Sequence, residues 1–338
     1  LSSILIREVS LLESCRATDE VIQVALGADD IIASDTRFFT TAAAGSGSLK
    51  ITQGEVSIMS KSAQRIFLIT GASSGFGRAL AEAALIAGNT VIGTVRSDSA
   101  KAELEGLHAH RAHGVLLDVS DFDSIDATIQ EVTERVGPID VLVNSAGYGH
   151  EGILEESPLE ELRRQFDVNV FGAVAMMKAV LPSMRIRRTG HIINITSMAG
   201  LVTFPGISYY CGSKFALEGI SEALEQEVRG FGIKVSAVAP GAFRTDWAGR
   251  SMVRTEHNIE DYDPVFAPIR RARMAKDGKQ PGNPAKVAEI LLDLIDEADP
   301  PVHLVLGDDA LSVVRAKISA LSREIDAWES VSKSTGFS

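Results

Sequence analysis

Tyr210 and Lys214 stand four residues apart in the run Tyr210-Cys211-Gly212-Ser213-Lys214, a spacing that puts a phenol and an ammonium on one face of a helix. A neighbouring cation favours phenolate and lowers a hydroxyl pKa that is about 10 in water, making tyrosine a usable proton donor and acceptor near neutrality. Tyr209 has Ser213 at the same offset, so only Tyr210 has this pairing. A Tyr-x3-Lys match arises by chance in roughly every second chain of this length, so the surrounding residues have to carry the reading. Ser197 follows the apolar run Ile192 to Thr196, which reads as a strand. At the carboxyl edge of a parallel sheet its hydroxyl would polarise a substrate carbonyl. Asn169, in Asp167-Val168-Asn169-Val170, falls within a helical pattern where asparagine is a poor former, which points to a polar task.

A second group of residues suits a nucleotide. The run Ile66 to Thr70 reads as a strand and leads into Gly71-Ala72-Ser73-Ser74-Gly75-Phe76-Gly77, where a helical pattern begins. Glycines at such a turn let backbone amides approach a pyrophosphate, and the helix start adds N–H groups and a partial positive charge. The spacing is Gly-x3-Gly-x-Gly, unlike the Gly-x-Gly-x2-Gly of the standard dinucleotide fingerprint. The next apolar run, Val91 to Val95, is followed by Arg96. Chains that bind NAD place an acid near this point for the ribose hydroxyls, whereas an arginine suits a 2′-phosphate. Val95 and Arg96 therefore predict NADP(H) in preference to NAD(H).

These residues require a scaffold that brings strand ends together. From Arg65 onward, strand-like runs (Ile66 to Thr70, Val91 to Val95, Val115 to Leu117, Ile139 to Val143, Ile192 to Thr196, Val235 to Ala239, Val302 to Leu306) alternate with helical patterns. The helices are read from Gly75, up to Val136, over Pro158 to Arg187, Tyr209 to Gly230, Val287 to Ile295 and Ala310 to Glu329. That rhythm predicts an α/β fold with a doubly wound, mainly parallel seven-stranded sheet and a buried closing strand. Residues 246 to 282 mix apolar side chains with arginines and are read as a substrate lid. Residues 1 to 58 lack the rhythm and are read as an appendage, partly disordered or not native, ahead of a single domain over 59 to 338.

The 338 residues carry a formal charge of −12, which argues against general affinity for nucleic acid or anionic membranes. With 45% hydrophobic and 23% charged residues, composition predicts a globule without a membrane span. The two cysteines, Cys15 and Cys211, match neither a metal spacing nor a disulfide framework, and no secretory signal is expected. No metal is predicted, and a reducing cytoplasm fits.

Taken in order, the glycine turn, Asp118-Val119, Asn144-Ser145-Ala146-Gly147, Asn169, Ser197, Tyr210 with Lys214, and Pro240-Gly241 with Thr245 closely resemble the classical short-chain dehydrogenase/reductase family over roughly residues 64 to 306. The family usually has Asn-Asn-Ala-Gly where this chain has Ser145 in second place. The resemblance implies a Rossmann-type fold and an oxidoreductase moving a hydride between nicotinamide and a carbonyl or secondary alcohol. Tyr210 would be the general acid in reduction and the base in oxidation. Lys214 would hold the nicotinamide ribose and lower the Tyr210 pKa, Ser197 would orient the substrate oxygen, and Asn169 would hold a helix carbonyl and a water in a proton relay. Gly71, Ser73, Ser74, Gly75, Phe76 and Gly77 would cradle the cofactor phosphates, Asp118 and Val119 would meet adenine, and Asn144, Ala146 and Gly147 would border the dinucleotide. Pro240, Gly241, Phe243 and Thr245 would fix the nicotinamide end. The run after Thr245 and the closing Val302 to Gly307 look most like the 17β-hydroxysteroid-dehydrogenase-like branch. The resemblance also implies a homodimer or homotetramer. The alternatives are a non-catalytic NADP-sensing regulator, against which Tyr210 and Lys214 both stand, and an epimerase or dehydratase of the extended branch, against which Gly75 and Gly77 stand.

Overall fold

A computed structural model of the chain describes residues 47–52, 55–60, 64–247 and 249–337. The chain divides into two units, residues 1–63 and 64–338. In the first, strands β1 (Gly47–Thr52) and β2 (Glu55–Ser60) form an antiparallel hairpin with Gly47 opposite Ser60. The expected boundary at Met59 thus falls inside β2, and the division comes after Ala63. The expectation of disorder before residue 47 lies outside the described residues.

The second unit opens with β3 (Ile66–Ile69), followed by α1 (Gly75–Ile86), β4 (Thr90–Val95), α2 (Asp98–Glu105), β5 (Ala112–Leu116), α3 (Phe122–Val136) and β6 (Val141–Asn144). A short β7 (Gly149–Glu151), α4 (Leu159–Phe166), a π-helical turn (Asp167–Phe171), α5 (Gly172–Arg187), β8 (Gly190–Ile195), α6 (Ser208–Val228) and β9 (Ile233–Pro240) come next. The chain then runs through β10 (Met252–Arg254), α7 (Asp263–Ala275), α8 (Pro284–Asp296), β11 (His303–Leu306), α9 (Asp308–Ala327) and α10 (Glu329–Lys333).

Seven strands form one parallel sheet in the order β11-β9-β8-β6-β3-β4-β5. Because successive side chains in a strand point to opposite faces, β3 sends Phe67 and Ile69 to one face and Leu68 to the other, and all three are buried. Leu80 and Leu85 of α1, Leu104 of α2 and Leu291 of α8 cover the first face. Ile125, Ile129 and Val132 of α3, with Met176, Val180 and Met184 of α5, cover the second. Burial on both faces explains why these strands read as continuous apolar runs rather than alternating ones. The order turns back on itself at β3, leaving a crevice between the carboxyl ends of β3 and β6 where ligands of such sheets bind.

Two sequence expectations change. The single helix read over Pro158 to Arg187 is two α-helices joined by the π-helical turn that contains Asn169. The closing strand is an edge strand, with His303 exposed and only Leu306 buried. Leu159–Arg187 has the length and mean hydropathy, 1.2, of a membrane-crossing helix, although composition predicts no span. Its Met176, Met177, Val180 and Met184 are spent in the core, which is the use that an apolar helix finds in a large α/β domain.

Candidate active site

A cavity of about 820 Å³ runs along the carboxyl edge of the sheet. One wall is the turn between β3 and α1. Gly71 has φ +66° there, and a Cβ on it would lie 2.9 Å from the Ala146 Cα. At Gly77 a Cβ would lie 2.6 Å from the Gly71 carbonyl oxygen, so the turn closes tightly only because both residues lack one. Thr70 at the end of β3 fastens the opposite segment, its Oγ1 accepting from the amides of Ser145 and Ala146 at 3.0 Å each. Ser74 precedes α1 in an extended conformation, its hydroxyl makes no capping bond, and the first turn carries no acid. The open N–H groups of α1 and this free hydroxyl suit a pyrophosphate.

Beyond the turn the wall continues through Val95, Arg96, Asp118 and Val119. Burial pushes the Asp118 carboxyl up. Hydrogen bonds from the Ser120 hydroxyl and amide, with Arg96 and Arg164 nearby, outweigh that and hold it below the usual carboxylate range. Asp118 is thus an acceptor at neutral pH. The residues fit a nicotinamide dinucleotide: an anion cradle at α1, an acceptor at Asp118, and an exposed guanidinium, Arg96, with no carboxylate at Val95.

The facing wall gathers side chains suited to proton chemistry. Tyr210, Lys214 and Ser197 all line the cavity, and all three are at least nine-tenths buried. Helix α6 places Tyr210 and Lys214 one turn apart; Ser197 lies just past β8, where its hydroxyl accepts from the Ala199 amide at 3.0 Å and bonds Tyr210. Burial pushes the Tyr210 hydroxyl up to about 12, against the hydrogen bonds of Ser197 and Trp247. Burial likewise pulls Lys214 down to about 8, with Glu218 opposing. Its Nζ donates to the Ile195 carbonyl at 2.8 Å and stands 5.8 Å from the Tyr210 ring centroid. In this geometry desolvation, not the cation, sets the state of Tyr210, and the phenol is neutral at neutral pH. The expected lowering by Lys214 does not offset burial here.

Tyr209, which has no lysine at the matching offset, stands outside this group. Its hydroxyl donates to the Ser157 carbonyl at 2.8 Å and its ring stacks on His150. It is a packing residue.

Three of the residues singled out in the sequence stand behind the cavity wall. Asn169 holds both backbone polar groups of one residue: its Oδ1 accepts from the Tyr148 amide at 3.1 Å, and its Nδ2 donates to the Tyr148 carbonyl at 3.0 Å and to Ser213 Oγ at 3.1 Å. The carbonyl that it grips belongs to the segment after β6 rather than to a helix. Asn144 is buried, with its Nδ2 on Asn194 Oδ1 at 2.8 Å, and Gly77 is covered by the turn itself. The remaining cofactor candidates, Gly71, Ser73, Ser74, Gly75, Phe76, Arg96, Asp118, Val119, Ala146, Gly147, Pro240, Gly241, Phe243 and Thr245, line the cavity.

Sequence reasoning missed part of the wall, whereas Trp247, Val253, Ile269 and Arg273 fall in the segment it reads as a lid. Asp309 Oδ2 accepts from the Ala242 amide at 2.8 Å and shapes the loop after β9; an acid in the first turn of a helix reads from sequence only as a partner for the helix dipole. Trp247 lies beside Tyr210, ring centroids 5.1 Å apart. The substrate end is otherwise walled by Phe204, Ile207 and Val253 and by one face of α7, where Ile269, Ala272, Arg273 and Lys276 follow the helical repeat.

The sequence profile described as short chain dehydrogenase matches residues 65–254. An oxidoreductase of Botryotinia fuckeliana is 35% identical over 269 residues, covering 79% of this chain and 98% of the relative. A 3-ketodihydrosphingosine reductase of Bacteroides thetaiotaomicron is 37% identical over 245 residues, covering 72% and 88%. Among solved structures, a short-chain dehydrogenase from Streptomyces avermitilis superposes with a TM-score of 0.76 at 42% identity, covering 81% of this chain and all of that one.

Proposed function

Since the chain belongs to the short-chain dehydrogenase/reductase family, whose fold binds a nicotinamide cofactor, we propose that it is an NADP(H)-dependent oxidoreductase interconverting a carbonyl compound and its alcohol, with Tyr210 as the proton donor and acceptor. The observation that carries this reading is the convergence of Tyr210, Ser197 and Lys214 on one wall of a cavity whose other wall is the glycine turn. When bound, the cofactor supplies or takes up the hydride. In the reducing direction Ser197 holds the carbonyl oxygen and Tyr210 gives it the phenolic proton. In oxidation the alcohol proton passes to the Tyr210 phenolate. Lys214 lies where an ammonium binds the ribose and steadies the charge left on the phenolate.

The 2′-phosphate carries roughly two negative charges, and Arg96 meets it with charge-assisted bonds. Trp247, Phe204, Ile207, Val253 and Ile269 favour a substrate with an apolar body around its carbonyl. The run after Thr245 looks most like the 17β-hydroxysteroid-dehydrogenase-like branch, which supports assigning the chain there as a description of sequence rather than of a steroid substrate.

The test is a panel of ketones, aldehydes and alcohols followed by nicotinamide absorbance. The parent consumes NADPH in proportion to carbonyl. Tyr210→Phe lowers kcat by on the order of 10² to 10⁴, the worth of a positioned general acid, while NADPH still binds. Near-parental kcat in the Phe variant overturns the assignment, and stoichiometric NADPH binding without turnover of any compound would favour a sensor.

A further inference from the structure

On α6, Glu218 follows Lys214 by one more helical turn and shares the face that carries Tyr210. The three side chains engage three consecutive residues at the carboxyl end of β8. Tyr210 bonds the Ser197 hydroxyl, Lys214 Nζ donates to the Ile195 carbonyl at 2.8 Å, and Glu218 Oε1 accepts from Thr196 Oγ1 at 2.5 Å. The helix is thereby fastened to the strand end on both sides of the hydroxyl proposed to orient substrate. The 3₁₀ turn after Ser197 adds to the fit, since a Cβ on Gly200 would lie 2.8 Å from the Lys214 carbonyl oxygen and 3.0 Å from Glu218 Cγ.

The Thr196 hydroxyl also lies 2.8 Å from the Val238 carbonyl, which already accepts from the Thr196 amide. One hydroxyl proton serves one acceptor best, and the carboxylate is the stronger. The other oxygen, Oε2, faces His303 Nδ1 of β11 at 2.7 Å. Glu222, on the same helix, stands 3.6 Å from His303 Nε2. From β8 the facing groups are the Thr196 hydroxyl and the Ile195 carbonyl, neither charged. Glu218 itself is 4% exposed. A buried carboxylate with two hydrogen-bond partners, set one turn from a buried ammonium, exerts its field at low dielectric.

We propose that Glu218 is a positioning residue that holds the Lys214 ammonium in its protonated state and in register with β8. The inference rests on the role given to Lys214 above. It accounts for a buried acid that the proton chemistry does not otherwise use. The field of Glu218 works against the burial that drives the Lys214 ammonium toward neutrality.

The test uses the full chain and titrates affinity for whichever nicotinamide cofactor the parent binds, by fluorescence, across a range of pH. Affinity declines as Lys214 loses its proton. In Glu218→Gln, which is nearly isosteric and keeps a partner for both Thr196 and His303, the same decline begins lower by roughly two pH units, the effect of one charge about a helical turn away at an effective dielectric of about 20. At mildly acidic pH the variant binds as the parent does. Glu218→Asp, which keeps the charge and draws it back by one methylene, gives an intermediate midpoint. Thr196→Val lowers kcat without moving the midpoint, because it loosens the register but leaves the charge. An unchanged midpoint in a folded Glu218→Gln protein overturns the proposal. So does failure of both Glu218 variants to fold, which would make the carboxylate a requirement of the fold alone. A parent that binds cofactor but turns over no substrate would overturn the proposed function while leaving the midpoint test intact.

Discussion

Tyr210 and Lys214 are displaced from their ordinary pKa values in opposite directions, and the displacements set the pH window of the site. With its hydroxyl pushed up to about 12 by burial, Tyr210 keeps its proton throughout the neutral range and is ready to donate it. With its ammonium pulled down to about 8, Lys214 is charged below that pH and neutral above it. NADPH affinity in the parent is therefore expected to fall as pH rises through about 8, since the ammonium proposed to meet the ribose is lost; a flat profile between mildly acidic and alkaline pH in a fluorescence titration would contradict this. A second prediction belongs to Arg96. Charge-assisted hydrogen bonds contribute roughly 1.5 to 3 kcal/mol net, so NADP(H) should bind about tenfold to a hundredfold tighter than NAD(H). The pair of substitutions Val95→Asp and Arg96→Ala should reverse the order, and equal affinities in the parent at moderate salt would refute the role. Both residues were legible in the sequence because each is tied to a short local pattern. The grip of Asn169 on the amide and carbonyl of Tyr148 was not, because it joins side chain and backbone across a distance that no spacing encodes.

The lid shows how an element is held. Its β10 pairs in parallel with β7, Met252 opposite Gly149, and α7 is fastened through Glu151 at the end of β7. Glu151 is fully buried and accepts from Arg273 at 2.5 Å, with Arg254 and Arg270 each at 3.3 Å. Removing the charge of Glu151 leaves three guanidinium groups around an amide, and breaking such a buried pair costs about 3 to 5 kcal/mol. Glu151→Gln is accordingly expected to lower the melting temperature and to raise KM more than it lowers kcat, because α7 walls the substrate end while Tyr210 and Ser197 keep their own supports. Unchanged KM would show that the lid is seated by other contacts. The sequence suggests a lid here from the segment's length and its mix of arginines with apolar residues. It did not reveal the strand within it, because Met252–Arg254 is three residues long and finds its register only against β7. The helix over Leu159–Arg187 was legible in extent but not in its π-helical turn, since the extra residue that places Asn169 under Tyr148 leaves the apolar periodicity almost intact.

At the scale of the molecule, the apolar side chains left on the surface of the helices bordering the site suggest an assembly. Phe171 is 52% exposed, Ile186 77% and Phe215 41%. They lie on the two helical stretches that the family resemblance assigns to a symmetric interface, where the same patch meets itself. Light scattering at micromolar concentration should give the mass of a dimer or tetramer, and Phe171→Asp should shift it toward the monomer; a parent that is monomeric would rule the interface out. The seven-stranded sheet was legible as a whole because both faces are covered and each strand is a dense apolar run. The order of its strands was not legible from the runs themselves, since apolar character does not record which neighbour a strand takes. That order bears on how the chain is made. β3 lies between β4 and β6, and the Ile66 amide waits for the Asp140 carboxylate 74 residues later. At about 5 to 20 residues per second of synthesis, one edge of the first strand of this sheet stays unpaired for roughly 4 to 15 s on the ribosome. A parallel partner cannot be supplied by a neighbouring hairpin, so the nascent chain carries an open apolar edge of the kind that chaperones cover.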